Sequence, residues 1–276
     1  RSRLYETLNV GDTNVTATVT GGYGGIGNQY ALGQNSSLNP TSNAAINTGN
    51  LTFVVRSVDG GSLLGSSLGV NITTKNVDAN LTANYSGGNS SGGVAQYGLL
   101  AGSTVNSGEG GTAYAGKYST ITTGNLKLVQ TTTGGTFTPI LNNGIRAIQG
   151  AFGTNDTATT LGTQGRGSTG QVIINGTLDM TLTGNRSVGI YVSGNKTNTG
   201  FATATGVNGE LTPKVILNGD ANITINKGTG FSLSTWDSHG IKLGKVRYAG
   251  EGAGMLESHG ALTIDTTNAL QGGGIK

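Results

Sequence analysis

The sequence predicts an all-β fold, a right-handed parallel β-helix with Gly/Ser/Asn-rich loop insertions. Three observations favour it: short apolar segments recur with one pattern, apolar and polar residues alternate inside each segment, and Gly or Asn stands at the segment ends. Parallel coils stacked on one another would align the apolar positions into buried rows that no single coil could form. The right hand is expected from the crossover rule for parallel strands.

The first recurring element has an apolar residue about three positions before a glycine and continues as an alternating strand. Residues 77–82 are interpreted as a degenerate copy in which Asp78 replaces the glycine. The corner glycines and asparagines are expected to adopt left-handed φ values, which these residue types tolerate best. The clear copies are residues 46–53, 121–128, 173–180, 216–223 and 256–264, the last with one extra residue before Gly260.

A second recurring element has the sequence Gly-Ile, then a polar residue, then an apolar residue. The last copy ends at the polar position, because the sequence ends there. The copies begin at Gly144, Gly189, Gly240 and Gly274, and Tyr97-Gly98-Leu99-Leu100 is interpreted as an earlier member. Near the C-terminal end, copies of the first element are about 41 to 43 residues apart, which leaves room for two coils of about 20 to 25 residues. This spacing predicts roughly 10 to 12 coils in a rod about 50 to 60 Å long.

A single domain is predicted, which we expect to be a fragment of a longer secreted protein. Residues 1–45 are interpreted as the first coils or an N-terminal cap, and residues 46–276 as repeated coils. Loops projecting from such coils often carry the function of solenoids. The clearest insertions rich in Gly, Ser and Asn are residues 86–93, 106–111, 153–170 and 194–209.

The composition excludes several classes of protein. Of 276 residues, 51 are Gly and none is Cys, so disulfides and thiolate metal sites are impossible. No apolar stretch reaches the roughly 18 residues of a membrane helix, and direct membrane insertion of this segment is not expected. Charged residues make up 11%, with a net charge of +3 and no basic cluster, which argues against a nucleic-acid partner.

One stretch concentrates chemically distinctive residues and is the candidate binding site. Trp236, the single Trp, and Tyr248 would form a platform for a sugar ring or a peptide, with Asp237, His239 and Arg247 as polar anchors. The alternative interpretation is a long corner whose Trp caps a thin part of the core. No catalytic residue is assigned.

No cofactor or metal is predicted either. His239 and His259 both precede a glycine and could stack on successive coils, but two histidines with no third ligand make a poor metal site. Asn-x-Thr triplets such as Asn71-Ile72-Thr73 and Asn222-Ile223-Thr224 are best explained as polar ladders on a strand face, with glycosylation as the alternative.

The Gly-x-Leu-x-apolar strands and the Gly-Ile-Tyr/Arg/Lys echoes resemble the passenger domains of monomeric type V bacterial autotransporters. The resemblance lies in pattern and composition along nearly the whole chain, and it includes the absence of Cys. It implies a β-helical stalk that is secreted across the outer membrane and anchored at the bacterial cell surface, most often as an adhesin.

The resulting functional expectation is a non-enzymatic adhesin that mediates bacterial attachment, aggregation or biofilm formation. Host or bacterial surface proteins or glycans are the expected partners, and self-association between cells is a specific form of this activity. Two alternatives stay open: a glycan-active lyase or hydrolase, for which Asp237 and Glu251 would be the nearest acids, and a structural stalk that binds nothing.

Overall fold

A computed structural model shows the architecture of the chain. Within its described ranges the chain forms 21 β-strands and no helix. The described residues are 7–18, 30–33, 45–57, 61–66, 71–85, 95–102, 118–134, 141–148, 169–193, 212–229, 238–244 and 254–276.

The strands form three sheets of seven strands each. The first sheet contains β1 (Leu8–Val10), β4 (Ala45–Thr48), β7 (Asn71–Thr74), β10 (Tyr118–Thr123), β13 (Thr169–Ile174), β16 (Lys214–Leu217) and β19 (Met255–Ser258). The second contains β2 (Thr13–Thr18), β5 (Leu51–Ser57), β8 (Val77–Tyr85), β11 (Leu126–Gly134), β14 (Leu178–Thr183), β17 (Ala221–Asn226) and β20 (Leu262–Asp265). The third contains β3 (Tyr30–Gly33), β6 (Gly61–Ser66), β9 (Ala95–Ala101), β12 (Leu141–Ile148), β15 (Ser187–Ser193), β18 (Ser238–Leu243) and β21 (Gly272–Ile275).

All strand pairs are parallel, and each strand pairs with the strands three positions before and after it. Three consecutive strands, one from each sheet, therefore make one coil, and the next three strands stack on it. This topology confirms the all-β parallel β-helix, and the right-handed sense follows from the crossover rule.

The described strands form seven coils, so the prediction of 10 to 12 coils is wrong. Ile121 in the fourth coil pairs directly with Val172 in the fifth, 51 residues later, which leaves no place for another coil between them. The shortest coil separates Ile46 from Ile72, only 26 residues apart. One sequence repeat is thus one coil of variable length, and at about 4.8 Å per step the seven coils rise about 30 Å.

Inward side chains form continuous aliphatic rows along the solenoid. Residues in register on successive coils are almost fully buried, so each coil covers the apolar face of the one before it. The first-sheet row contains Ile46, Ile72, Ile121, Val172 and Val215. The second-sheet row contains Leu51, Val77, Leu126, Leu178 and Ala221, and the third-sheet row Leu99, Ile145, Ile190 and Ile241.

The turn between the first and second sheets, which we call the outer corner, has two residues in the first four coils and three in the last three. The added residue shifts the preceding strand by one position. Alignment of the sequence copies on their glycines places Ile173 and Ile216 in the aliphatic row, and this expectation is wrong. Val172 and Val215 occupy the row, and the two isoleucines are only half-buried.

The degenerate copy at residues 77–82 is also out of register. Val77 pairs with Leu51 and Leu126, so Lys75, and not Asp78, stands where the other coils have glycine. The Lys75 amide donates to the coil below and its carbonyl accepts from the coil above, as the corner glycines do. Backbone bonds therefore fix the corner whichever residue occupies it.

The corner glycines serve close approach between coils and not left-handed backbone, contrary to expectation. Among the described glycines, positive φ occurs only at Gly102 and Gly244. A Cβ on Gly219 would come within 2.5 Å of the Gly176 carbonyl oxygen of the neighbouring coil, and one on Gly124 would collide with the carbonyl of Lys75. At Gly124 and Gly219 glycine leaves room for the backbone of the neighbouring coil, although the equivalent position in the third coil holds Lys75.

Amide side chains link the coils along the outer corner in what we call the corner ladder. Asp12 Oδ1 accepts the backbone N–H of Asn50 at 2.7 Å, and Asn50 Oδ1 accepts from Asn76 Nδ2 at 2.8 Å. Asn76 Oδ1 accepts the N–H of Asn125, and Asn125 Oδ1 accepts that of Thr177, both at 2.9 Å. These exposed bonds satisfy turn amides that have no strand partner.

The Gly-Ile element is confirmed as a third-sheet strand, including its earlier member at Tyr97-Gly98-Leu99-Leu100. Ile145 pairs with Leu99 on one side and Ile190 on the other. The glycine makes room for a core side chain of the next coil: a Cβ on Gly189 would lie 2.6 Å from Ile223 Cγ2. A glycine row therefore lets the second and third sheets approach closely.

A buried polar network occupies the inner corner, between the second and third sheets. Gln130 and Asn142, both fully buried, are joined by a 2.6 Å bond from Gln130 Nε2 to Asn142 Oδ1. Gln130 Nε2 also lies within hydrogen-bond distance of the carbonyls of Gln96 and Asn143. Asn142 Nδ2 donates to Ser187 Oγ of the next coil at 3.1 Å. This network links three successive coils.

The junction between the third and first sheets varies most in length, from 4 residues between β6 and β7 to 20 between β12 and β13. Thr169 and Gly170, predicted to end the insertion at 153–170, instead begin β13. The remainder of that insertion lies outside the described residues. So do the other predicted insertions, residues 86–93, 106–111 and 194–209.

Candidate functional site

Of the five predicted binding residues, one, His239, lies in the described part of the structure. His239 is in β18, pairs with Val188 and Gly273, and is only 7% exposed. Its imidazole lies against Gly273, because a Cβ there would be 2.8 Å from Nδ1. Outside the described residues lie Trp236, Asp237, Arg247 and Tyr248.

The two histidines do not stack on successive coils, so that prediction is wrong. His239 is in the third sheet, whereas His259 is the additional residue of the outer corner, where its amide donates to the Leu217 carbonyl at 2.8 Å. His259 Nε2 lies 3.7 Å from Glu257 Oε2. Across the described ranges, no group of three or more His, Asp or Glu residues could hold a metal ion.

The outward face of the third sheet carries a stack of cations and an aromatic ring. Arg146, Tyr191 and Lys242 follow one another in register on three successive coils. The Arg146 guanidinium carbon lies 3.5 Å from the centre of the Tyr191 ring, and Lys242 Nζ lies 5.1 Å from the same centre. Arg146 also donates to Ser193 Oγ at 2.9 Å. Cation–π attraction thus holds two positive charges beside one ring.

Tyr97 lies within electrostatic range of the same cluster. Burial raises the pKa of its hydroxyl, the positive charges of Arg146 and Arg186 oppose that increase, and Tyr191 adds to it. Arg186 is in the turn just before β15. We call Tyr97, Arg146, Arg186, Tyr191 and Lys242 the cationic cluster.

Charge is divided unevenly between the sheets. Among the described residues, the third-sheet strands and the turn at Arg186 contain no Asp or Glu. The described acids lie elsewhere: Asp78, Asp179 and Asp265 on the second sheet, Glu257 on the first, and Asp12 and Asp220 at the outer corner. The third sheet is therefore the positive side of the solenoid within this part of the chain.

The outward face of the second sheet, which we call the polar face, is built mostly from Thr and Asn. It contains one charge pair, Lys127 Nζ to Asp78 Oδ2 at 3.3 Å, with both side chains well exposed. The predicted ladder is confirmed at Asn222-Ile223-Thr224, where Ile223 is 1% exposed and its polar neighbours face outward. The outward residues are Asn14, Thr16, Thr18, Thr52, Val54, Arg56, Asp78, Asn80, Thr82, Asn84, Lys127, Val129, Thr131, Thr133, Asp179, Thr181, Thr183, Asn222, Thr224, Asn226, Thr263 and Asp265.

Sequence reasoning missed the cationic cluster, although a signal for it was present. The polar residue after each Gly-Ile is Arg146, Tyr191, Lys242 or Lys276, and stacking the copies brings these residues side by side. Arg186 could not be added from the pattern, because it belongs to a turn outside the repeat. Tyr97 belongs to the repeat, but it precedes the glycine of its copy and does not occupy the polar position.

No helix long and apolar enough to cross a membrane occurs in the ranges that the structure describes.

No protein-family model, no curated protein and no solved structure matches the chain. Function is therefore inferred from the two faces themselves.

Proposed function

We propose that the protein is a bacterial surface adhesin, a passenger segment of the monomeric type V autotransporter kind, displayed outside the cell after secretion across the outer membrane. It mediates attachment, aggregation or biofilm formation by binding surface proteins, glycans or further copies of itself. The observation that carries this proposal is the polar face, where outward Thr and Asn side chains recur on all seven coils.

The polar face supports weak binding at many points. Each neutral hydrogen bond contributes only about 0.5 to 1.5 kcal/mol, because the same groups bond to water when they are free. Rows repeated at about 4.8 Å let one partner make many such bonds at once. Many copies on one cell surface then raise the overall affinity well above that of a single contact. The proposal includes no catalytic step.

A charge-insertion experiment tests the proposal. Thr52→Lys and Asn222→Lys together place two like charges on the polar face of each copy. Both positions tolerate lysine, because Thr52 neighbours Asp78 and Asn222 neighbours Asp179 in register. Cells displaying the double variant, or purified protein at micromolar concentration, should clump and attach less than the unmodified protein, as measured by light scattering and by cell sedimentation.

The matched control is Asn71→Lys with Thr73→Lys, which adds the same charge to exposed positions of the first sheet. Clumping and attachment should persist in this variant, and circular dichroism should show equal folding for both. If both variants lose adhesion equally, net charge and not the polar face is responsible. Undiminished adhesion in Thr52→Lys/Asn222→Lys would refute the proposal.

A further inference from the structure

The cationic cluster has features that the polar face and its adhesive role do not use. Three cations, Arg146, Arg186 and Lys242, gather around two tyrosines on the side of the solenoid where the described strands contain no acid. Like charges held this close would repel unless something compensated them. Tyr191 does so in part, since the ring attracts Arg146 and Lys242 through its π-face.

The arrangement of the cluster is linear. Arg146, Tyr191 and Lys242 belong to the fourth, fifth and sixth coils, so the two cations are separated by about 10 Å along the solenoid axis. A row of this kind matches a polymer that carries anionic groups at intervals along its length. The guanidinium of Arg146 is suited to carboxylate and sulfate groups, because its planar N–H donors can bond two oxygens at once.

The chemistry of the cluster favours a polysaccharide over two other polyanions. Single-stranded nucleic acids bind through bases stacked on open aromatic faces, but Tyr191 has a cation from each neighbouring coil against its ring. Anionic membranes attract clusters of about four to eight basic residues, and the cluster reaches only the lower limit of that range when Lys276 of the last coil is added to its three cations. A linear acidic glycan needs only spaced cations and hydrogen-bond donors.

We propose that the cationic cluster of the third sheet is a binding site for a linear acidic polysaccharide, whose carboxylate or sulfate groups pair with Arg146 and Lys242. This site lies on a different sheet from the polar face and does not depend on the adhesive role assigned to that face.

Binding is tested with the folded chain and immobilised dextran sulfate, polygalacturonate and neutral dextran at low ionic strength. The charged polymers should bind, neutral dextran should not, and added salt should weaken binding by screening. Arg146→Gln with Lys242→Gln should weaken binding by about tenfold or more. Lys75→Gln with Lys127→Gln removes the same charge from exposed positions elsewhere and should stay within about twofold.

A second variant covers the case in which Arg146→Gln unfolds the protein. Lys242 lies on the outward face of β18, beside Lys276 of the last coil. Lys242→Glu therefore reverses its charge with little disturbance of the core and should abolish binding, whereas Lys242→Arg should retain it. The proposal is overturned if neither dextran sulfate nor polygalacturonate binds. It is also overturned if Lys75→Gln with Lys127→Gln weakens binding as much as Arg146→Gln with Lys242→Gln does. Tighter binding of single-stranded DNA or of anionic lipid vesicles, compared at equal charge, also overturns it.

The two proposals fail separately. Thr52→Lys/Asn222→Lys should lose clumping but keep polymer binding, while Arg146→Gln/Lys242→Gln should show the reverse. Loss of both properties in either variant would point to general misfolding, which circular dichroism of the same samples would reveal, and with folding intact it would contradict the independence of the two faces.

Discussion

The outer and inner corners of the solenoid use the same chemistry, side-chain amides that bond from coil to coil, in opposite surroundings. In the corner ladder Asn125 is exposed and bonds to the backbone of Thr177. At the inner corner Asn142 is fully buried and bonds to Gln130 and Ser187. Water can replace a lost partner at the outer corner but cannot at the inner corner. Loss of the same kind of hydrogen bond therefore lowers the stability of the fold more at the inner corner.

The two corners also differ in how much their length varies from coil to coil. The outer corner contains two or three residues in every coil, whereas the inner corner ranges from 3 residues between β14 and β15 to 11 between β17 and β18. The outer corner is constrained by backbone bonds from coil to coil and, at Gly49, Gly124, Gly176, Gly219 and Gly260, by close contact with the neighbouring coil. The buried network tolerates variable loops because its donors and acceptors lie largely within the strands.

The largest effect is expected from Asn142→Ala. Removing this amide leaves Gln130 Nε2 without its shortest bond inside the core and opens a cavity. The free energy of unfolding should fall by about 2 to 4 kcal/mol. Urea unfolding followed by circular dichroism measures it. A loss no greater than that of Asn125→Ala would break the distinction between the two corners.

A smaller loss is expected from Gly124→Ala at the outer corner. The new Cβ would collide with the Lys75 carbonyl, and the resulting shift of the coil should cost about 1 to 3 kcal/mol. Gly11→Ala is the matched control, because Gly11 occupies the same corner position in the first coil and has nothing within 4 Å of its Cβ. Thermal unfolding of both variants should separate them, and equal stability would show that close approach does not select glycine.

Asn125→Ala should destabilise by about 0.5 to 1.5 kcal/mol, because water can take the place of the exposed side chain. Asn222→Ala serves as the comparison, since Asn222 is exposed on the polar face and outside the corner ladder. Urea midpoints should fall for the first variant and stay nearly unchanged for the second. An unchanged midpoint for Asn125→Ala would mean that the corner ladder contributes nothing to stability.

The smallest effect is a pH dependence at the N-terminal end of the corner ladder. The backbone N–H and the side chain of Asn50 lower the pKa of Asp12 below its ordinary value of about 3.9. Because the folded-state pKa is depressed, the stabilisation is fully present above pH about 3.9 and is lost as pH falls through the lower value.

NMR titration of the Asn50 amide tests this. Its chemical shift should change with a midpoint below about 3.9, and Asp12→Asn should remove the transition. A midpoint at or above that value would contradict the assigned bond.

Most of the fold could be predicted from the sequence, because alternation and recurrence reflect the burial of aliphatic rows. The number of coils could not, since the repeat length alone does not distinguish two short coils from one coil with a loop. The register predicted for Ile173 and Ile216 is wrong, because a single added corner residue exchanges the inward and outward faces of the strand before it. Lys75 was not predicted as the corner residue of its coil, because the pattern requires glycine at that position.

The candidate site was less predictable. His239 was selected for its residue type, and its position inside β18 depends on pairing that the sequence does not reveal. Arg146, Tyr191 and Lys242 each occupy the third position of a Gly-Ile element. The sequence shows this, but only the coil-to-coil register shows that the three residues are neighbours. The site hypothesis for Trp236 and its neighbours stays a prediction.

The junction between the third and first sheets accepts 4 to 20 residues while strand pairing on both sides continues unbroken. This makes it a natural point for grafting. A foreign peptide inserted there in one coil would be carried on the same edge as inserts in any other coil, at heights set by the coil spacing. The solenoid is thus a scaffold that can display inserted epitopes along one edge, at spacings that are multiples of about 5 Å.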